Sequence, residues 1–264
     1  MKKLIISMTA FLIFLLTGTC FAKEKVTLSK KSVTIDHIAL VCTYLDITPD
    51  YGINLYTAAL RSKMFKISDQ INLLMKNKVG QLRDSMALLL TTKFNCKVEY
   101  GQDLYRNSGF DVLKGKYDNN SKLTKDNEHF PQLIMPEGEV NYFPFTKNHV
   151  DRFGYGVISY FKKSDDYKEQ ITDICKTLNV NFIAVFWSNI NTYAGDMMTH
   201  VKTGVTVNFC IFDKDGDCIA NGFNLSKPMN FNPDQIGDYN QPLNRILTEV
   251  DPILVKIAEK FVTK

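Results

Sequence analysis

The stretch from Val180 to Asn224 decides the fold: VNFIAVFWSNI (180–190), a polar loop, then GVTVNFCIFDKDGDCIANGFN (204–224). Phe182-Ile183-Ala184-Val185-Phe186-Trp187 is apolar on both faces of an extended chain, as a central strand must be. Two further strand-like runs are joined by Asp213-Lys214-Asp215-Gly216-Asp217. A three-residue loop, Lys214-Asp215-Gly216 with Gly216 left-handed, sets Asp213 opposite Asp217. Extended without a break, that register sets Ile211 opposite Ile219, Val207 opposite Phe223 and Val205 opposite Leu225, all sharing one face with Phe209. A two-residue loop would turn the second strand's apolar set to the wrong side. The same register places Cys210 opposite Ala220, so Cys218 is its diagonal neighbour at about 7–8 Å. That exceeds the span of an unstrained disulfide. The outward face then carries Thr206, Asn208, Cys210 and Phe212 beside Cys218, Ala220, Gly222 and Asn224. Phe212 and the two cysteines argue against full solvation of that face, and a cover by the 107–163 insertion is expected.

Upstream, Ile35 to Tyr44 is a mostly apolar run suited to an inner strand. Thr48-Pro49-Asp50 carries helix-start chemistry. Ile53, Tyr56, Leu60, Met64, Ile67, Ile71 and Leu74 recur at three- and four-residue steps, predicting a long helix with a break near Ser68-Asp69 and an end at Gly80. A second helix carries Leu82, Met86, Leu89, Leu90 and Phe94. Cys96–Tyr100 reads as a short strand and Gln102–Asn107 as a helical turn. From 107 to about 163 the chain is rich in Asn, Lys, Asp, Gly and Pro without periodicity, an irregular insertion with one candidate edge strand at 156–161. Ser164 with Asp165 and Asp166 is a helix start, and Tyr167, Ile171, Ile174, Cys175 and Leu178 form that helix's apolar face, ended by Asn179. Asp251-Pro252 opens or kinks a last helix bearing Ile253, Leu254, Ile257, Ala258 and Phe261. The expected architecture is α/β of the α+β type: a mixed, largely antiparallel sheet with helices packed mainly on one face, plus the insertion.

The address is written in the first 22 residues. Lys2 and Lys3 precede the apolar run Leu4–Leu16, and Cys20-Phe21-Ala22 follows. Such a segment reads as a signal peptide cleaved after Ala22, leaving a single domain at 23–264 in the periplasm or outside the cell. Thirteen apolar residues fall short of the ~18 a membrane span needs, so no transmembrane segment is expected in the mature chain. A lipid tether on Cys20 is disfavoured, because Thr19 and Thr17 stand where lipoprotein signals carry other residues. Loss of Lys2 and Lys3 lowers the formal net charge from +4 to +2, and no Lys/Arg cluster marks a nucleic-acid surface. Hydrophobic residues make up 45% and charged residues 23%, the balance of a globular protein. Cys42, Cys96, Cys175, Cys210 and Cys218 are an odd, scattered set that reads as buried apolar residues rather than a disulfide framework.

No catalytic, cofactor or metal site is written in the sequence. Asp213, Asp215 and Asp217 alternate as calcium ligands do, but Gly216 is fourth in the loop and no distal Glu follows, so a solvated turn is the favoured reading. His37, His129, His149 and His200 lack ligand spacing, and His37, inside an apolar strand, reads as a core residue. If separated segments converged into a hydrolase site, His149, Asp151 and His200 would be its candidates, beneath a deep pocket. A ligand carrier would need an apolar cavity under the insertion.

The order strand, helices, strand, insertion, helix, strand, hairpin, helix resembles the periplasmic α/β domain shared by curli-secretion lipoproteins, penicillin-binding-protein activator lipoproteins and the N-terminal part of TolB. The resemblance rests on Leu178–Trp187, on Phe212-Asp213-Lys214-Asp215-Gly216-Asp217 and on the helix-to-strand piece Met86–Glu99. It implies scaffolding or partner activation in the cell envelope through an envelope protein partner, without catalysis, cofactor or metal.

Overall fold

In the computed structural model, the structure describes residues 25–29, 33–49, 62–64, 66–117, 136, 165–194 and 201–262. They build a seven-stranded mixed sheet between two helical layers. The order along the sheet is β1 (Lys25–Leu28), β6 (Cys218–Leu225), β5 (Val201–Asp213), β4 (Phe182–Ala194), β2 (His37–Pro49), β3 (Lys97–Glu99), with β7 (Met229–Asn230) paired to β5. The β1/β6, β6/β5, β5/β4 and β5/β7 pairs are antiparallel. The β2/β4 and β2/β3 pairs are parallel.

Alternation along each strand sorts the sheet's side chains into two cores. On one face Ile38, Leu40, Leu45, Ala184, Phe186, Ile190, Val205, Val207, Phe209 and Ile211 pack against two long helices, α1 (Ser68–Phe94) and α5 (Asn240–Val262). On the other, Ala39, Val41, Tyr44, Ile183, Val185, Trp187, Cys210 and Phe212 pack against α2 (Gln102–Arg106), α3 (Phe110–Tyr117) and α4 (Asp165–Leu178). The two long helices share one face, and the three shorter ones cover part of the second. β4 is buried on both sides, which is why its 182–187 run lacks alternation.

Several expectations are corrected. The strand β2 runs through Pro49, past the helix start read at Thr48-Pro49-Asp50, because its parallel pairing with β4 continues to Thr192. Gly80 does not end a helix. The buried set Ile71, Met75, Val79, Leu82, Met86, Leu90 and Phe94 keeps steps of three and four straight across it, so tertiary burial holds α1 continuous despite the glycine. The break near Ser68 is present: Ile67 is non-helical and α1 starts at Ser68. Its end is Asn95, left-handed at φ 50°. Residues 110–117 form a helix rather than irregular chain, with Phe110 and Leu113 buried one turn apart. The last helix begins at Asn240, not Asp251-Pro252; Pro252 sits inside it, and Leu243, Ile246 and Val250 of its first half are buried. Asn179 is left-handed at φ 55° and ends α4 as the pattern predicts. The signal segment, the 50–61 part of the first predicted helix, Ser164 and the candidate strand at 156–161 lie outside the described residues.

The hairpin needs the finest correction. Its turn is as predicted: the Asp213 N–H donates to Asp217 O at 3.0 Å, the Gly216 N–H donates to Asp213 O at 2.9 Å, and Gly216 has φ 80°. Phe212 pairs with Cys218, but then the register slips, so that Ile211 pairs with Ala220, Phe209 with Gly222 and Val207 with Asn224. Ile219 is the extra residue of a β-bulge. Beyond it Gly222 and Asn224 face α5, while Asn221, Phe223 and Leu225 face the other way. The slip sets Gly222 beneath Ile253 of α5, where the close crossing leaves room for only a glycine.

Candidate functional site

The predicted chemistry-bearing residues are mostly absorbed by structure. The Asp213 carboxylate is buried and accepts the N–H groups of Asp215 at 3.1 Å and Asp217 at 3.0 Å. Asp217 in turn accepts the Lys168 ammonium of α4 at 2.8 Å, so two of the three acidic side chains tie the turn together and to the helix beside it. His37 meets Glu99 across β2 and β3, Nε2 to Oε1 at 2.9 Å, and Lys97 reaches the same oxygen at 2.8 Å. Burial acts to raise the Glu99 carboxyl, but the Lys97 and His37 contacts outweigh it and hold it below the usual range. This is a structural edge pair of the sheet. Cys210 lies opposite Asn221 rather than Ala220, and all five described cysteines are unbridged. His129, His149, Asp151, His200 and Cys20 lie outside the described residues. Among the described residues no three His, Cys, Asp or Glu side chains are grouped to hold a metal ion, and no helix is long and apolar enough to cross a membrane.

The second face of the sheet changes character along its length. Near the hairpin turn, Cys210 and Phe212 join the core beneath α3 and α4, so the described start of the 107–163 segment does help cover the outward face. Further along, Asp46, Asn189 and Thr206 stand in one cross-strand row. The Asn189 amide donates to Asp46 Oδ2 at 3.3 Å, and the Asn191 amide donates to Thr206 Oγ1 at 2.7 Å. Asn208, next to Trp187, is fully buried, and its Oδ1 has no hydrogen-bond partner among the described residues.

The opposite face carries a cleft. It lies between α1 and α5, whose contacts advance together from Leu82 beside Leu243 and Leu247 to Phe94 against Phe261, so the helices lie side by side in the same sense. Lys93 and Asp251, 2.9 Å apart, tie them near the end of α1. The cleft measures about 170 Å³, with Leu45, Leu82, Leu243 and Leu247 among its walls. Lys78, Gln81, Ser85 and Asn244 supply its polar groups, and among the described residues Lys78 is its sole charged lining residue. The ammonium of Lys78 lies 3.5 Å from Gln81 Oε1 and has no carboxylate partner among the described residues.

Leu73, Asn77, Gln81, Ser85 and Leu88 follow one another at steps of four, four, four and three, so they form a single stripe along α1. Leu73 is 63% exposed and Leu88 68% exposed. Exposed leucines therefore stand at both ends of a stripe whose middle borders the cleft, about 22 Å apart along the helix. Sequence reasoning missed this surface because it ended the helix at Gly80, between Lys78 and Gln81. The signal was present: the buried three- and four-residue steps run through the glycine, and Leu73 and Leu88 fall outside them.

Together these features define an α+β protein with a mixed sheet between two helical layers and an inter-helix cleft. No protein-family model matches the chain, and no curated protein matches it. Among solved structures, a variant of the PelC dodecamer from Paraburkholderia phytofirmans is 7% identical, covering 90% of this chain and 98% of that one at a TM-score of 0.30. A second PelC dodecamer from the same organism is 6% identical, covering 89% and 97%, also at 0.30. At that score the likeness carries no argument about what this chain does.

Proposed function

We propose that the protein is exported and acts in the cell envelope by binding another protein, as a scaffold or activator, without catalysis. The observation that carries this reading is the α1 stripe: Leu73 and Leu88, two large apolar side chains left in solvent, bracket an apolar-walled cleft. An apolar-walled groove with exposed apolar side chains on the same helix is the kind of surface a partner segment can dock on. The cleft's described walls are mostly apolar, with Lys78, Gln81, Ser85 and Asn244 as polar groups, so they offer a partner shape and apolar contact. The basic start, the apolar run and Cys20-Phe21-Ala22 support export with cleavage after Ala22.

The test is biochemical fractionation of the native cell with intact mass measurement. The expected mature chain begins at Lys23 and elutes at fixed stoichiometry with one envelope protein. A cytosolic chain that still begins at Met1 sinks the export reading. An acylated chain beginning at Cys20 keeps export and replaces soluble release with a membrane tether. A monomer that turns over an ester or peptide substrate, and loses that activity on substitution of His149 or His200, sinks the non-catalytic reading.

A further inference from the structure

We infer that two copies of the chain pair through the outer line of α1, antiparallel and related by a two-fold axis at the Gly80–Gln81 peptide. This goes beyond the protein-binding reading above: a second copy takes the outer line, and the cleft on its flank stays with the envelope partner. Three observations support it.

The first is symmetry. Leu73, Asn77, Asp84 and Leu88 are all exposed on α1, and their steps read the same from either end about the Gly80–Gln81 peptide. The exposed Gln70 and Thr91 prolong the line equally in both directions. In an antiparallel pair centred there, Leu73 of each copy meets Leu88 of the other, so both exposed leucines are covered at once. A two-fold contact requires such a self-complementary patch, with each residue meeting its counterpart twice. A partner of unrelated sequence does not.

The second is charge. The same pairing sets the Asn77 amide of each copy opposite the Asp84 carboxylate of the other, with the exposed Lys76 beside it. Asp84 accepts Arg83 Nε of its own chain on Oδ1 at 2.9 Å, so the carboxylate would stand between that guanidinium and the second copy's donors. A parallel pairing would instead set Asp84 against Asp84, a like-charge contact that disfavours it. Charge thus selects the direction that the leucines also select.

The third is access. A Cβ built on Gly80 meets nothing within 4 Å, so the middle of the line is open. Paired helices bring their axes to about 8–10 Å, and a small residue at the crossing permits that approach. Lys78, which lines the cleft, lies about a third of a turn off this line. The seam therefore runs beside the cleft rather than over it.

The experiment measures the mass of the purified mature chain by sedimentation equilibrium. A seam confined to one helix is a small interface, so the mass should climb from one chain to two between about 1 and 100 μM. Leu73→Lys or Leu88→Glu alone sets a charge against a leucine at both ends of the seam, and raises the dissociation constant about tenfold or more. An equal mixture of the two variants returns to within about threefold of wild type. In that mixed pair one end joins opposite charges and the other keeps its two leucines. Both positions are exposed, and unchanged circular dichroism shows that each variant folds.

A single-chain mass across that range overturns the inference and leaves the protein-binding reading to its own test. A dimer that neither substitution weakens places the contact elsewhere and overturns it too. A mixture no tighter than its weakened components shows that Leu73 does not face Leu88, which removes the antiparallel pair.

Discussion

Gly222 of β6 lies directly under Ile253 of α5: a Cβ built on the glycine would stand 2.0 Å from Ile253 Cγ2. Ile253 is fully buried, and its Cγ2 is bonded to Cβ, so it cannot swing aside as the tip of a long side chain would. The bulge at Ile219 is what turns Gly222 toward the helix. One turn earlier in α5, Glu249 receives the Asn224 amide at 2.8 Å, so the pairing of helix and strand is held by a close contact and a polar one.

Gly222→Ala should therefore destabilise the protein by about 1–3 kcal/mol, the range for overpacking a filled core. Urea unfolding checks it. The double variant with Ile253→Ala should lose less than the sum of the two single losses, because the smaller residue at 253 makes room for the methyl. Additive losses would show that the helix shifts freely over the strand.

Gly80 is the converse case. A Cβ there meets nothing within 4 Å, and the residue sits in the middle of a 27-residue helix. Gly80→Ala should raise stability by up to about 1 kcal/mol through helix propensity alone. An unchanged or lowered denaturation midpoint would indicate that α1 is not continuous in solution.

The Glu99 carboxyl, held below the usual range by Lys97 and His37 against the opposing effect of burial, makes stability depend on pH. A depressed acid contributes stability above its unfolded value of about 4.3 and loses it as pH falls through the lower folded value. Glu99→Gln should thus destabilise at pH 6 by less than about 1 kcal/mol, since Lys97 is largely exposed. The difference from wild type should shrink as pH drops below about 4. A difference that grows toward acid would reverse the assignment.

The thiols separate by burial. Cys175 is pushed up to about 12 by burial first, with Asp213 and Asp215 adding to it, and Cys96 is pushed up to about 11 by burial and Asp36. Cys42 and Cys210 are equally enclosed, whereas Cys218 is half-exposed. Iodoacetamide at pH 8 should alkylate Cys218 in the native chain, and the other four only after denaturant is added. Rapid native labelling of Cys175 would show that α4 opens away from the sheet.

How much of this was legible in the sequence follows from range. The central strand at 182–187, the amphipathic helix at 165–178 with its Asn179 stop, and the Asp213–Asp217 turn are each set by neighbours a few residues away. The pattern of burial and the φ of Gly216 state them directly. The slip after Phe212 was not legible, because it brings Gly222 against Ile253, thirty-one residues beyond that glycine in α5, a contact the turn does not announce. The continuity of α1 across Gly80 was missed for the opposite reason: a local helix-breaker was weighed above a periodic pattern that only packing against β2 and α5 redeems. The cleft depends on that continuity and on an α5 that begins at Asn240, since its walls come from both helices.

By itself the amino-acid order determined the class of this protein: an α+β chain with a doubly buried central strand, because alternation, periodicity and turn chemistry are local and survive without knowledge of partners. Only the tertiary structure decided which residues of the second hairpin strand face the helices, that Asp213 and Asp217 brace a turn, and that α1 and α5 enclose an apolar-walled cleft. Those are relations between segments distant in the chain, and distance in sequence carries no information about distance in space until the core has closed.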